Sequence, residues 1–320
     1  MIRGSVSLCC SALALLACSL GVGSAAASSC GTSARPLATP TTLVLSGGGA
    51  KGAYEAGVAA LFVEHGLPLR LVAGSSAGAL NAAMIADGRM DRLDALWRGL
   101  TRDRVYSLRA RVLFGGLLPG WLTLLILDRA GSLFDPAPLR ALIAEGLDLE
   151  RIRASPVRLL VVTTDLARRE QRLFDNATVT REALMAAAAV PGAFPAVDVD
   201  GALLVDGGLT GRAPVLEALA AAPAVERAVV VMSYAPEERG APPTTMRRAL
   251  EEAFEMGMVH QIRRDVELAR LKFPAVELHL LTPSAPLSLR PLEFDPAGMA
   301  RALERGREDA RACLSGWVTR

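Results

Sequence analysis

Short apolar runs, each ended by glycine, proline or a polar cluster, alternate along this chain with longer stretches of helical spacing. Thr42 to Ser46 (TLVLS) stops at three glycines and predicts a buried strand. Ala53 to Glu64 follows with apolar positions at Ala56, Ala60 and Val63, a helical spacing. Leu69 to Ala73 predicts a second strand and Ala77 to Ala86 a second helix. Val157 to Thr163 (VRLLVVT) predicts a third strand, and Arg181 to Ala189 a helix that stops at Val190-Pro191-Gly192. Ala202 to Val205 predicts a strand running into Asp206-Gly207-Gly208. Ala228 to Met232 and Val276 to Leu281 predict two more strands, Thr245 to Leu271 a long helix between them, and Pro296 to Leu314 a closing helix. Apolar strands alternating with helices predict an α/β fold with a largely parallel central sheet covered by helices on both faces. No internal repeat and no second domain is visible.

The first thirty residues depart from this pattern. Arg3 supplies a short positive region, Ser5 to Val22 carries no charge, and the small residues Gly23, Ser24, Ala25, Ala26 and Ala27 follow. This is the layout of an export signal over residues 1–27, not of a membrane span. Two processing points compete: cleavage before Ser28, or lipidation of Cys18 within Leu15-Leu16-Ala17-Cys18, which resembles a bacterial lipobox although Leu16 fits it poorly. The alternative is an apolar helix packed on the body. Both processed forms place the protein outside the cytoplasm, as a periplasmic, secreted or lipid-anchored protein. Gly31 to Pro40 reads as a polar linker, so that residues 41–320 form the domain.

The chain has 320 residues, 51% of them hydrophobic, enough to bury a full core in one domain. A net charge of +2 gives no reason to expect a nucleic-acid partner. Of the 35 basic residues only Lys51 and Lys272 are lysines, a compositional bias without evident chemistry. Cys30 and Cys313 are the cysteines outside the leader, one near each end. Chain ends often lie close together, and an oxidising compartment permits a bridge between them; two free thiols is the alternative.

Three glycine-rich turns carry the candidate chemistry. Gly74-Ser75-Ser76-Ala77-Gly78 lies between a predicted strand and a predicted helix. A serine on such a turn is pushed out of the sheet, and its glycines relieve the crowding. The following helix aims its free N–H groups at the serine, with Ala77 first among them. Gly47-Gly48-Gly49-Ala50-Lys51-Gly52 is placed in the same way and suits an oxyanion hole made by the Gly47, Gly48 and Gly49 amides. It also matches the dinucleotide pattern G-x-G-x-x-G, but the next predicted strand ends in Ala73-Gly74-Ser75, without the carboxylate that pattern requires. Lys51 is expected to be solvated. The third turn, Asp206-Gly207-Gly208, places a carboxylate just past a strand; an ordinary Asp-Gly turn is the bland alternative.

The histidines then discriminate. His65 reads as a helix C-terminal residue, His260 lies inside the long helix and His279 within a strand. None sits on a glycine turn that would deliver a base, so a histidine-free dyad fits better, with Asp206 taking the Ser76 proton directly. The residues call for no metal and no cofactor.

Taken together and in this order, the three motifs resemble the patatin-like phospholipase family, which joins a glycine-rich oxyanion loop, a G-x-S-x-G nucleophile turn and a D-G-G/A turn carrying the base of a Ser-Asp dyad. Gly131 to Pro136, Thr164-Asp165-Leu166 and Val190 to Pro195 also resemble it, and the similarity runs from about Thr42 to Pro214. Where the family often has an asparagine shortly before the proline after D-G-G, this chain has Gly211-Arg212-Ala213-Pro214. The resemblance implies a patatin-like fold and hydrolysis of a lipid carboxylic ester (phospholipid, lysophospholipid or acylglycerol) at a membrane surface. Val112 to Leu127 holds no charge in 16 residues and reads equally as core or as an apolar flap that meets lipid. A catalytically silent lipid-binding envelope protein of the same fold and a dinucleotide-binding oxidoreductase are the competing readings. Protein partners are not legible.

Overall fold

A computed structural model describes residues 30–109, 131–222, 224–235 and 242–317. The leader with Cys18, and the apolar stretch from Val112 to Leu127, lie outside the described residues.

In chain order the elements are β1 (Thr41–Leu45), α1 (Gly52–Glu64), β2 (Leu69–Gly74), α2 (Ala77–Asp87), α3 (Met90–Gly99), α4 (Arg102–Val105), β3 (Ser107–Leu108) and β4 (Phe134–Asp135). There follow α5 (Ala137–Gly146), α6 (Leu149–Arg153), β5 (Arg158–Asp165), β6 (Glu170–Asp175), α7 (Arg181–Ala187), β7 (Val197–Val199) and β8 (Ala202–Asp206). The chain closes through α8 (Val215–Ala221), β9 (Arg227–Val231), α9 (Met246–Lys272), β10 (Glu277–Leu281) and α10 (Pro296–Ser315).

One eight-stranded sheet organises the molecule, in the order β10-β9-β1-β2-β5-β8-β7, with β6 also paired to β5. Strands β10, β9, β1, β2 and β5 are mutually parallel. Their central residues are apolar because both faces are covered. Side chains alternate faces along a strand, and the two cores follow that alternation. Leu43, Leu45, Val229 and Val231 point into the larger core with α1 and α2, while Val44, Ala228 and Val230 point into the smaller one with α8 and α9. Helix α1 is buried on nearly its whole circumference. Against it lies α10, so closely that a Cβ on Gly57 would fall 2.0 Å from the Leu303 carbonyl oxygen and one on Gly306 2.1 Å from that of Tyr54.

The segment before β1 is not the free linker expected of it. Cys30, Ser33 and Thr39 are buried. The Arg227 guanidinium donates to Ser33 Oγ and to the Arg35 and Pro36 carbonyls, while resting 4.3 Å from the Trp317 ring centre. Cys30 and Cys313 form a disulfide with a Cα separation of 5.4 Å, which joins this strap to α10. Polar residues dominate the strap because its contacts are hydrogen bonds to a buried arginine, a pattern that composition alone reads as a linker.

The sheet edge that matters is set by β5. Its residues Leu160 and Val161 pair with β6 on one side and β2 on the other; Thr163 to Asp165 pair with β6 on the first side and β8 on the second. Strand β8 therefore occupies the same edge of β5 as β2. It runs antiparallel to β5 where β2 runs parallel, so the two approach each other head-on.

Candidate active site

Ser76 stands at the meeting point, directly after β2 and at the N-terminus of α2. Its backbone has φ 56° and ψ −134°, a region that side chains rarely enter. Such a conformation costs on the order of 1–3 kcal/mol and persists only where the surroundings impose it. Here they do. The turn is pressed against β1 so tightly that a Cβ on Gly78 would fall 2.5 Å from the Leu45 carbonyl oxygen, and one on Gly74 2.3 Å from that of Gly78. Both motif glycines are thus required by contact. The Ser76 amide donates to the Ala187 carbonyl at 3.0 Å, fixing the turn from the other side.

Asp206 ends β8, and its own amide donates to the Ala189 carbonyl at 3.0 Å. The exit from α7 therefore clamps Ser76 and Asp206 through carbonyls two residues apart. Oδ1 accepts the Gly208 amide at 2.7 Å, the Thr164 hydroxyl donates to the Asp206 carbonyl oxygen at 3.0 Å, and Gly207 lies where a Cβ would strike the Val162 carbonyl oxygen at 2.2 Å. The other oxygen, Oδ2, is buried without a hydrogen-bond partner. The Ser76 hydroxyl is near enough to favour the charged carboxylate as a donor does, yet it does not complete a hydrogen bond of good geometry. Such an imperfectly aligned contact is common before substrate binds. Burial raises the Asp206 pKa above its ordinary value, and the Arg212 charge, the Gly208 amide and the Ser76 hydroxyl oppose that rise.

The glycine loop frames the same point. A Cβ on Gly47 would lie 3.0 Å from Ser76 Cβ, so the loop and the nucleophile turn are in contact. One expected oxyanion donor is lost, however. The Gly47 amide donates to Glu55 Oε1 at 2.8 Å and is turned inward. The amides of Gly48, Gly49 and Ala77 have no hydrogen-bond partner among the described residues, and all three residues line the cavity in front of Ser76. Gly52 belongs to α1 and touches Ala77 and Trp97, a packing role. Gly49 abuts Pro291, whose carbonyl accepts the Ala50 amide at 2.8 Å. That carbonyl closes the helix end where a pyrophosphate would have to bind.

Lys51 is not solvated as expected. It is buried, with Nζ 3.4 Å from Glu255 Oε2 and 4.1 Å from the Tyr234 ring centre.

The cavity has a volume of about 1280 Å³ and its floor is formed by Ser76, Gly48, Gly49 and Ala77. Its wall is aromatic and apolar: Tyr106 stacks on Phe134 at 4.1 Å between ring centres and meets Phe194 and Phe294 edge-on at 6.4 and 6.1 Å. The two stretches carrying Phe134 and Phe194 are joined by Leu133 N–H to Gly192 O and Phe134 N–H to Ala193 O, both 2.9 Å. Such a wall accepts hydrocarbon. Partly exposed Leu133, Leu209 and Phe254 stand at the rim.

None of the three histidines lines the cavity. His65 Nδ1 contacts the Leu61 carbonyl, His260 is exposed on α9, and His279 is fixed by the Cys30 carbonyl and Glu277, each at 2.8 Å. Sequence reasoning missed two buried charges near Ser76 and Asp206, Glu55 and Arg212, and the aromatic wall. Glu55 was hidden because α1 is buried all round, so that a polar residue within it gives no sign of its exposure.

Comparison with known proteins identifies the family. The model of the family described as patatin-like phospholipase matches residues 43–219. A patatin-like phospholipase domain-containing protein of Caenorhabditis elegans is 30% identical over 177 residues, 54% of this chain and 12% of its own. An uncharacterised NTE family protein of Mycobacterium tuberculosis is 29% identical over 173 residues, 54% of this chain and 43% of its own. The chain thus spans less than half the length of these relatives. Among solved structures, VipD of Legionella pneumophila superposes with a TM-score of 0.45 at 16% identity, covering 88% of this chain and 67% of VipD. With more than half of its residues matched by the family model, this chain belongs to the patatin-like phospholipase family.

Proposed function

We propose that the chain is a serine acyl hydrolase that cleaves carboxylic esters of lipids through a Ser76 acyl-enzyme, with Asp206 as base. The observation that carries this reading is the head-on meeting of β2 and β8. It sets a strained, cavity-lining serine against a buried carboxylate with one unpartnered oxygen.

The chemistry follows from those positions. Ser76 Oγ attacks the ester carbonyl carbon as its proton passes to Asp206 Oδ2. The carbonyl π electrons move onto oxygen, and the unpartnered Gly48, Gly49 and Ala77 amides receive the resulting charge. Collapse of the intermediate breaks the bond to the leaving alkoxide, which takes the proton from Asp206. Water, deprotonated by the same carboxylate, attacks the acyl-enzyme; collapse breaks the bond to Ser76 Oγ, which takes that proton back from Asp206 as the fatty acid leaves. Desolvation makes Asp206 a stronger base than an exposed aspartate.

The aromatic wall and the apolar side chains of Leu133, Leu209 and Phe254 favour a substrate with an acyl chain presented at a lipid surface, whether phospholipid, lysophospholipid or acylglycerol. The disulfide between Cys30 and Cys313 accords with an exported protein, processed at Cys18 or before Ser28. A fluorophosphonate reagent tests the catalytic reading: the wild-type protein should be labelled at Ser76 and the Ser76→Ala variant should not. Failure of the folded wild-type protein to react would favour the silent lipid-binding alternative.

A further inference from the structure

Arg212 lies in the Gly211-Arg212-Ala213-Pro214 stretch that follows Asp206, and its surroundings are unusual for an arginine. It is only 3% exposed, yet it lines the cavity with Ser76 and Gly48. Its Nε is buried without a hydrogen-bond partner, and among the described residues it forms no salt bridge. A buried guanidinium with unfilled donors is costly unless something meets it.

Its position is narrowly fixed. A Cβ on Gly208 would lie 2.8 Å from Arg212 Nη1, so one end of the fork rests on the turn that carries Asp206. A Cβ on Gly48 would lie 3.6 Å from Arg212 Nη2, so the other end borders the glycine loop beside one of the free amides. Two buried carboxyl groups, Asp206 and Glu55, feel its charge across this gap. Neither neutralises it by direct contact.

We propose that Arg212 is a catalytic residue that supplies a charged donor to the oxyanion of the tetrahedral intermediate, alongside the Gly48, Gly49 and Ala77 amides. This rests on the serine hydrolase reading above. The inward turn of the Gly47 amide removes one donor from the oxyanion site, and the guanidinium stands next to the Gly48 amide with its own donors unspent. A substrate headgroup is a less suitable partner for it. Among the described residues the lining carries Arg102 and Arg290 but also Asp103, Glu251, Glu255, Glu293 and Asp295, a mixture of both signs. Arg212 is buried, whereas Arg102, Asp103, Arg290 and Glu293 are exposed.

The test is the steady-state kinetics of Arg212→Gln and Arg212→Lys on a neutral short-chain ester and on an anionic phospholipid, with folding checked by circular dichroism. Arg212→Gln should lose about 10²- to 10³-fold in kcat on both substrates, the range for removing one oxyanion donor, with KM little changed. Arg212→Lys, which keeps a charge but not the fork, should recover part of the loss and also serves if the glutamine variant does not fold. The rate of labelling by fluorophosphonate, whose attacked phosphorus also gathers negative charge on oxygen, should fall in parallel.

Three results would overturn the assignment. A loss confined to the anionic phospholipid and expressed in KM would make Arg212 a headgroup contact. A loss that vanishes as pH is raised would mean that the arginine serves only to keep Asp206 ionised. Activity within a few-fold of wild type would leave it no role in turnover. Ser76→Ala separates this test from that of the parent reading: if Ser76→Ala is inactive while Arg212→Gln is fully active, the serine stands and Arg212 falls. If Ser76→Ala retains activity, both fall.

Discussion

Asp206 pairs with Thr163 across an antiparallel ladder, two residues beyond Val161, where β5 last pairs with β2. At about 3.3 Å per residue, β2 and β8 end roughly 7 Å apart along one edge of β5. Ser76 and Asp206 thus approach each other because two strands converge end to end. No loop has to fold back to deliver the base, so the catalytic geometry should be as rigid as the sheet itself.

The first prediction follows from that rigidity. Ser76→Ala and Asp206→Asn should each abolish ester hydrolysis while leaving the thermal transition within a few degrees of wild type. His260→Ala should retain full activity. His279→Ala should lose stability, since its ring bonds the Cys30 carbonyl and lies 5.0 Å from the Trp317 ring, but the folded fraction should turn over normally. A folded and inactive His279 variant would break the dyad assignment.

How much of this was legible in the sequence depends on the strand. TLVLS, VRLLVVT and AVVVM are doubly covered strands whose apolar runs announce them. Glu170–Asp175 is a strand too, but it is an edge strand with mostly polar, partly exposed residues, and no periodicity marks it. The three glycine turns lie between the elements the sequence predicts, but the way Asp206 is brought to Ser76, by a strand running antiparallel to β5, was not legible. Strand direction is decided by chain connections and pairing, and the short run Ala202 to Val205 carries no sign of running antiparallel to β5. Glu55 and Arg212 stayed hidden for a related cause: charged side chains read as solvated until the layers that cover them are known.

A second prediction concerns acid pH. Burial raises the Asp206 pKa above 3.8, and only the ionised form can take the serine proton. The acid limb of kcat/KM on a neutral ester should therefore have its midpoint above 3.8. It should be measured in wild type and in Glu55→Gln, so that titration of Glu55 nearby is not mistaken for it. A midpoint at or below the ordinary aspartate value in both proteins would exclude Asp206 as base.

Glu55 supports a third prediction, on stability. Burial pushes its pKa from 4.5 to about 7, although the Ser46 hydroxyl and the Gly47 amide, at 2.9 and 2.8 Å, favour the charged form. The sign follows from proton binding. Between pH 4.5 and about 7 the unfolded chain has released this proton and the folded protein still holds it, so stability falls as pH rises through that window. The whole loss is on the order of 3 kcal/mol and is complete above pH 7 or so. In Glu55→Gln the side-chain carbonyl can still accept both hydrogen bonds, and this part of the pH dependence should disappear. Urea unfolding at about pH 5 and pH 8.5 reads it directly; equal slopes in the two proteins would contradict the raised pKa.

The last prediction isolates the contact between the oxyanion loop and the nucleophile turn. Gly47 and Gly66 both have positive φ, at 75° and 71°, so alanine meets the same backbone strain at either position. They differ in what a Cβ would touch. At Gly66 nothing lies within 4 Å; at Gly47 the Cβ would sit 2.4 Å from the Ser75 carbonyl oxygen and 3.0 Å from Ser76 Cβ. Gly66→Ala should thus cost only the price of left-handed alanine, about 1–2 kcal/mol, and leave kcat unchanged. Gly47→Ala carries that cost as well, and must also push the loop off the serine turn or shift Ser76 from its strained conformation. Either movement separates the Gly48 amide from the nucleophile, so kcat should fall by about 10²-fold or more even in the fraction that remains folded. Comparing the two variants at matched folded fractions cancels the backbone term. Equal activities would show that the loop does not depend on its contact with Ser76, and that the Gly48 and Gly49 amides are held in place by something else.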